Sequence, residues 1–264
     1  MTQATEVLFP TSAEEAIAQF GDGGDVTVLG GGTIVMPELT YGRLAPSKVV
    51  SLARAGLDTL EADGTSVTIG AALPIARLAE LADDVTALAQ CALNVADYEI
   101  RRQGTVGGNV CAGAGHDAPR GDLQGPLLAL EAQARSVGSA GEATEPLEEF
   151  LAHRDGRLLL DLTFEKPAAS AFAAIDYPHT HEYTVLAVTG VRTAGGETRL
   201  AATGVAGYGT RLRAAEAAGD PQQAGAAAVG DVRLGDDALA STWYREQTLP
   251  VLVRRVLAEL EEAA

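Results

Sequence analysis

A glycine-rich stretch, Gly30-Gly31-Gly32-Thr33-Ile34, has a backbone suited to binding an anion. It follows the apolar run 26–29 and leads into a predicted helix start. Glycine leaves backbone N–H groups unshielded and permits positive φ, so that several donors can turn toward one anion. The positive end of the helix dipole adds to this attraction. The stretch predicts a phosphate-binding turn, although glycine at such a turn also serves tight turning alone.

A second glycine-rich stretch, Thr105-Val106-Gly107-Gly108-Asn109, has the same character. The side chains of Thr105 and Asn109 can donate hydrogen bonds to phosphate oxygens. The two glycines between them allow the backbone to approach a ligand closely. Either stretch by itself is a weak signal, but the two together predict a phosphate-bearing ligand that is held from two sides.

The elements around the first stretch predict a small parallel α/β unit. An apolar strand over 26–29, the glycine turn, a helix and a second apolar strand over 48–52 follow one another, an order typical of such a unit. Upstream, Ser12 and Glu15 predict a capping box for a helix over 13–20. Downstream, alternating runs over 57–61 and 66–70 predict a β-hairpin.

The C-terminal part of the chain shows a different pattern. Three strand-like runs, 171–177, 183–192 and 198–204, follow one another without helices between them, which predicts a small antiparallel sheet. The longest predicted helix begins at Ser241 or Thr242 and ends near Glu262. Pro250 lies inside this helix and is expected to kink or interrupt it.

Composition excludes several classes of protein. The 264 residues carry a formal net charge of −17, which disfavours nucleic-acid binding because phosphates would be repelled. No apolar run approaches the length of a membrane span. Cys91 and Cys111 are the only cysteines and form no CxxC motif, so there is no signal for a zinc site or an iron–sulfur cluster. Two cysteines and no signal peptide predict a cytoplasmic location.

The two glycine motifs together resemble those of a known family. The stretch from Gly30 to Thr33 resembles an Ala-Gly-Gly-Thr motif, with glycine in the alanine place. Ile100-Arg101 and then Thr105 to Asn109 resemble Ile-Arg-Asn-x-Gly-Thr-Ile-Gly-Gly-Asn. The family is the FAD-binding medium subunit of molybdenum hydroxylases, which includes the flavoproteins of carbon monoxide, xanthine and nicotine dehydrogenases. Further matches extend over almost the whole chain, at Ile69-Gly70-Ala71, Gly121-Asp122, Leu127-Leu128-Ala129-Leu130 and Tyr244-Arg245.

This resemblance implies an α+β fold with a particular domain order. Two α/β FAD-binding subdomains of the vanillyl-alcohol-oxidase type would occupy residues 1–56 and 57–165. A C-terminal domain with a small antiparallel sheet and helices would occupy residues 166–264.

The resemblance also implies where the cofactor binds. The FAD pyrophosphate would lie between the two glycine stretches, and Asp122 would bond the cofactor or brace its loop. The implied FAD-binding residues are Gly30, Gly31, Gly32, Thr33, Ile34, Thr105, Val106, Gly107, Gly108, Asn109 and Asp122.

By the same resemblance the chain would be an electron-transferring oxidoreductase subunit. Iron–sulfur and molybdopterin subunits on separate chains would oxidise the substrate and supply electrons to FAD, which would pass them to an external acceptor such as NAD, oxygen or a quinone. One alternative is a free-standing flavoenzyme that acts directly on a small molecule. Another is a non-catalytic nucleotide-binding or assembly module, which the two intact glycine motifs disfavour.

One segment departs from the family pattern. From Asn109 to Asp122 the chain is longer by about four residues than is common in the family, and the loop 110–121 includes His116. We expect a tolerated surface insertion. The alternative reading places His116 beside the flavin as an acid–base group or a covalent attachment point.

Two further sets of residues have a functional and a structural reading. Cys111 is a second candidate for covalent flavin attachment, but a lone cysteine beside a strand is more often a small buried hydrophobic residue. His179 and His181 would share one face of a strand, which suits a metal, whereas a solvated turn is the simpler expectation.

Overall fold

A computed structural model of the chain describes residues 5–113, 121–175 and 184–263. Within these residues, helices and sheets are both well represented. The strands are β1 (Glu6–Leu8), β2 (Val26–Leu29), β3 (Lys48–Ser51), β4 (Leu60–Ala62), β5 (Ser66–Gly70), β6 (Gln133–Gly138), β7 (Gly141–Pro146), β8 (Leu158–Glu165), β9 (Ala169–Ile175), β10 (Leu186–Arg192), β11 (Thr198–Thr203) and β12 (Thr210–Arg211).

The α-helices vary widely in length. They are α1 (Ala13–Phe20), α2 (Val35–Thr40), α3 (Thr86–Asn94), α4 (Tyr98–Gln103), α5 (Val106–Val110), α6 (Gln124–Ala129), α7 (Leu147–Ala152), α8 (Arg213–Glu216), α9 (Pro221–Asp231) and α10 (Thr242–Glu262). The 3₁₀ helices are Leu52–Arg54 and Ile75–Leu81. Among the described residues, no helix combines the length and the apolarity needed to cross a membrane.

The chain divides into two compact units. The first unit consists of Met1–Arg77, Glu99–Cys111 and Gln133–Phe164. The second unit consists of Leu78–Tyr98, Ala112–Ala132 and Glu165–Ala264. The division into cofactor-binding subdomains at residues 56 and 165 stays a prediction, because a compact unit can contain more than one such subdomain.

A parallel sheet and its covering helix open the first unit. The strand order is β1-β3-β2 and both pairs are parallel, which confirms the predicted α/β unit. Phe20 and Ala16 of α1 pack into the same buried cluster as Val50 of β3. The Ser12 side chain accepts a hydrogen bond from the Glu15 N–H at 3.2 Å, as predicted. The Glu15 carboxylate, however, accepts from the Thr11 N–H, so only half of the capping box forms.

The second sheet of the first unit has five strands in the order β4-β5-β8-β6-β7. The antiparallel pair β4 and β5 confirms the predicted hairpin. The Asp63 carboxylate in its turn accepts hydrogen bonds from the N–H groups of Ser66 and Thr65, which lowers its pKa to about 2. The edge strand β7 was not predicted, because its Gly-Glu-Ala-Thr-Glu-Pro sequence is poor in strand-forming residues.

A four-stranded antiparallel sheet, in the order β12-β11-β10-β9, forms the second unit with its helices. This confirms the predicted C-terminal sheet. Helix α10 continues through Pro250, so the predicted interruption is wrong, while a kink at this proline stays a prediction. Proline costs a helix about 3 kcal/mol, but α10 buries Leu249, Val253 and Val256 in the core of this unit. Tertiary burial therefore outweighs the local preference.

A buried arginine joins three elements of the second unit. Arg211 of β12 donates to both carboxylate oxygens of Glu216 in α8, at 2.8 and 3.0 Å. It also donates to Glu131, just beyond α6, at 3.0 Å. Glu216 in turn accepts a hydrogen bond from the Leu200 N–H of β11 at 2.7 Å. The network ties the last residue of α8, the sheet and the residue just beyond α6 to one guanidinium.

We expect Glu216→Ala to lower the free energy of unfolding of the second unit by about 3 kcal/mol, because it leaves a buried guanidinium short of a partner. The matched control is Glu197→Ala, which removes a 72% exposed carboxylate paired with Arg199 and should cost less than about 1 kcal/mol. Urea unfolding followed by circular dichroism measures both changes. Equal losses in the two variants would contradict this account.

Candidate functional site

The structure packs the first glycine stretch against the start of the second stretch and the two residues before it, within the first unit. A Cβ on Gly31 would lie 1.6 Å from the Gln103 carbonyl oxygen, which no real side chain tolerates. A Cβ on Gly30 would lie 2.4 Å from the Thr105 hydroxyl oxygen. These two glycines are therefore required by the contact between the stretches, whatever ligand binds there.

The first stretch offers a row of unused hydrogen-bond donors. The backbone N–H groups of Gly31, Gly32, Thr33 and Ile34 donate to no acceptor among the described residues. Gly32 has a φ of +77°, in the left-handed region that favours glycine. All four residues are partly exposed, and α2 begins directly after them without a side-chain cap. Consecutive free amides at a helix start form a site for an anion such as a phosphate.

The second stretch is a short helix rather than an open loop. Thr105 is the N-cap of α5, and its hydroxyl oxygen accepts a hydrogen bond from the Gly108 N–H at 3.2 Å. The N–H groups of Val106 and Gly107 donate to the carbonyls of Leu73 and Ala71 at 2.9 and 2.8 Å. The second stretch thus uses most of its own amides to hold α5 in place.

Close packing explains the glycine pair in α5. A Cβ on Gly107 would lie 2.8 Å from both the Cβ and the carbonyl oxygen of Ala71, so this glycine lets the helix lie against the residues that follow β5. Gly108 is exposed, whereas Thr105 and Asn109 on either side of the pair are buried. Gly108 is therefore the position of this stretch with a free surface for a ligand.

Asp122 lies in the second unit, where it is buried. Its backbone carbonyl accepts a hydrogen bond from the Cys91 thiol at 3.4 Å. Burial raises the pKa of Cys91 well above its usual range, and the negative charge of Asp122 raises it further. Cys91 is therefore a neutral packing group beside the carboxylate.

Sequence reasoning missed Gln124, a buried amide close to Asp122. Its Nε2 donates to the Ala112 carbonyl at 3.1 Å, and its Oε1 accepts from the Gly209 N–H at 2.7 Å. One side chain thus joins three separate parts of the second unit. The only signal in the sequence is a polar residue inside the otherwise apolar stretch that starts α6.

The described residues offer no strong candidate for a nucleophile or a metal site. Burial raises the pKa of Cys111 to about 11, so its thiol stays protonated at neutral pH and is a poor nucleophile. His116, His179 and His181 lie outside the described residues. In residues 5–113, 121–175 and 184–263, no group of three or more His, Cys, Asp or Glu side chains could hold a metal ion.

The chain matches known proteins over nearly its full length. A family described as the FAD binding domain in molybdopterin dehydrogenase matches residues 3–162. The chain is 27% identical to the 6-hydroxypseudooxynicotine dehydrogenase complex subunit alpha of Paenarthrobacter nicotinovorans, over 94% of this chain and 91% of that protein. It is 28% identical to the carbon monoxide dehydrogenase medium chain of Hydrogenophaga pseudoflava, over 53% of this chain and 50% of that protein.

Solved structures share its fold. A carbon monoxide dehydrogenase chain from Hydrogenophaga pseudoflava matches with a TM-score of 0.87 at 24% identity, over 100% of this chain and 99% of that chain. A quinoline 2-oxidoreductase chain from Pseudomonas putida 86 matches with a TM-score of 0.84 at 20% identity, over 100% and 99% of the two chains. The likeness confirms the predicted α+β fold class.

Gly31→Ala should separate the two glycine stretches, because the new Cβ cannot share space with the Gln103 carbonyl. We expect a loss of about 3 kcal/mol in stability, as for an overpacked core site, together with loss of bound FAD. The matched control is Gly64→Ala, whose Cβ meets no atom within 4 Å. Urea unfolding and the ratio of flavin to protein absorbance measure both effects. A Gly31→Ala protein that keeps its FAD would overturn the steric argument.

Thr105→Val should remove the N-cap of α5 and cost about 1 kcal/mol of stability. Valine keeps the shape of threonine but has no oxygen to accept the Gly108 N–H. Thr105→Ser keeps the hydroxyl and is the control, with stability expected close to that of the wild type. Thermal unfolding of the FAD-free protein compares the three, and a valine variant as stable as the serine variant would rule out the capping role.

Proposed function

Since the chain belongs to the family of FAD-binding domains of molybdopterin dehydrogenases, we propose that it receives electrons from an iron–sulfur chain and passes them to an external acceptor. FAD is its cofactor, and the resemblance drawn from the two glycine motifs is confirmed. When bound, FAD supplies the ring that takes up and releases electrons. The protein residues bind and orient the cofactor.

The row of unused amides from Gly31 to Ile34 is the observation that carries the cofactor site. A dinucleotide has a pyrophosphate with several negatively charged oxygens, and four adjacent N–H donors match that need. The protein as a whole carries a net charge of −17, so local dipoles rather than net charge must attract the anion.

In this proposal the two glycine stretches contribute unequally to cofactor binding. The first stretch binds the pyrophosphate through its free amides. The second stretch supports it, because the amides of Val106 and Gly107 are already bonded to other parts of the first unit. Thr105 fixes the position of α5, and Gly108 gives the ligand access to the helix surface. The role of Asp122, which lies in the second unit, stays a prediction.

The small number of cysteines in this chain supports the proposal that its partners carry the other redox groups. An iron–sulfur cluster needs about four cysteine ligands, and the chain has only Cys91 and Cys111. The Paenarthrobacter relative is named as a subunit of a dehydrogenase complex. We therefore place the iron–sulfur and molybdopterin groups on separate chains. Both cysteines are free, which fits a cytoplasmic complex in which thiols stay reduced.

The test begins with the purified chain, which is expected to be yellow or to become yellow on reconstitution with FAD. A colourless protein that cannot take up FAD would contradict the proposal and favour a non-catalytic module. The chain is then mixed with an aromatic N-heterocyclic or nicotine-derived substrate, alone and with the iron–sulfur and molybdenum chains from neighbouring genes. Flavin bleaching should need the partner chains. Bleaching by substrate in the pure chain would favour a free-standing enzyme instead.

A further inference from the structure

The single tryptophan of the chain, Trp243, stands on the surface of the second unit with 67% of its area exposed. It lies in the first turn of α10, the longest helix of the described residues. A tryptophan side chain can bury roughly 150–250 Å² and is among the residues most enriched at the energetic centre of protein interfaces. The exposed indole therefore offers a large apolar contact area to a binding partner.

The segment that presents Trp243 is held by its own hydrogen bonds. The Ser241 hydroxyl accepts from the Tyr244 N–H at 3.2 Å, and the Asp236 carboxylate accepts from the Thr242 N–H at 2.5 Å. The Asp237 carboxylate accepts from the Leu239 and Ala240 N–H groups at 2.8 and 3.0 Å. Both residues that flank Trp243 are thus fixed through their backbone.

Arg245 joins this segment to the sheet. Its side chain is 1% exposed and donates to the carbonyls of Gly235 and Ala240, both at 2.8 Å, and to Asp237 at 2.7 Å. Its Nε donates to the Val185 carbonyl, just before β10, at 3.3 Å. Because the arginine points inward from the first turn of α10, its neighbour Trp243 is held outward with little freedom to fold back.

A second exposed apolar side chain lies at the same end of the sheet. Leu93, near the end of α3, is 56% exposed. Its neighbour Asn94 donates from Nδ2 to the Thr184 hydroxyl at 3.0 Å, and Thr184 adjoins the Val185 that Arg245 contacts. The segments that carry Leu93 and Trp243 therefore both contact the chain at residues 184 and 185, directly before β10. We call these two exposed side chains the Trp243 surface.

The negative charge around Trp243 favours a partner with basic side chains. Asp236 and Glu246 are exposed carboxylates of the same segment, and the nearest exposed cation in sequence, Arg233, offsets only one of them. Asp237 and Arg245 cancel each other in a buried pair. Hydrogen bonds from the Thr242 backbone lower the pKa of Asp236, so it stays ionised. A second copy of this chain would bring another net charge of −17 and be repelled. An anionic lipid surface would be repelled as well.

We propose that the Trp243 surface docks a partner subunit that presents an apolar pocket for the indole, bordered by lysine or arginine side chains. The proposal rests on the proposed function, since the partner is a chain of the same dehydrogenase complex. The occupied pocket removes the indole from water, and the basic border pairs with Asp236 and Glu246.

Two measurements test the proposal with the FAD-loaded chain and the purified iron–sulfur and molybdenum chains. Titration calorimetry compares the wild type with Trp243→Ala, which should bind about 30-fold more weakly, the loss typical of an anchor residue. The matched control is Tyr41→Ala in the first unit, an aromatic residue that is 72% exposed and should bind like the wild type. Glu246→Lys should also weaken binding, and the loss of affinity should be larger at low salt than at high salt, because salt screens the charge interaction. All three variants should keep their FAD and their unfolding midpoint, because each of the three side chains is exposed.

The second measurement uses 5-fluorotryptophan incorporated only into this chain, which produces one ¹⁹F resonance because Trp243 is the single tryptophan. The resonance should move when the partner chains are added and should not depend on the concentration of this chain alone. A resonance that stays in place in a formed complex, or Trp243→Ala binding with wild-type affinity, overturns the inference. A concentration-dependent shift without partners would overturn it in favour of self-association. Failure of the wild type to form any complex instead contradicts the proposed function.

Discussion

The contact between the Gly31 backbone and the Gln103 carbonyl sets the geometry of the proposed cofactor site. The two backbones approach so closely that a methyl group at residue 31 would overlap the carbonyl oxygen. One side of this contact follows a parallel strand, and the other precedes a helix capped by Thr105. Both stretches belong to the first unit, so the arrangement needs no domain movement to form.

The unused amides beside this contact carry an energetic consequence. A buried donor without a partner costs about 1–3 kcal/mol, so a row of them would destabilise a closed core. Here Gly31 to Ile34 are partly exposed, and water can satisfy them in the FAD-free protein. In the proposed site, the pyrophosphate would replace that water with charge-assisted hydrogen bonds, which are stronger than neutral ones. Binding of the cofactor at this proposed site would therefore stabilise the first unit.

Buried guanidinium groups organise the second unit in a comparable way. Arg211 joins a strand, a short helix and the end of α6 through two carboxylates. Arg245 joins the start of α10 to the start of β10 mainly through backbone carbonyls. Each cation is costly to bury alone, and the number of its partners offsets that cost. The rigidity that results lets Trp243 remain exposed in a defined position.

The amino-acid sequence was enough to predict the elements whose signal is local: the parallel α/β unit, the hairpin around Asp63 and the C-terminal antiparallel sheet all follow from apolar periodicity and turn residues. It also identified the two glycine motifs and, through them, the family. The folded chain was needed to see that 105–110 is a capped helix, that α10 continues through Pro250, and that Gln124 and Arg245 join distant segments. These features depend on burial and on partners far away in sequence, and such long-range contacts leave no periodic trace in the chain itself.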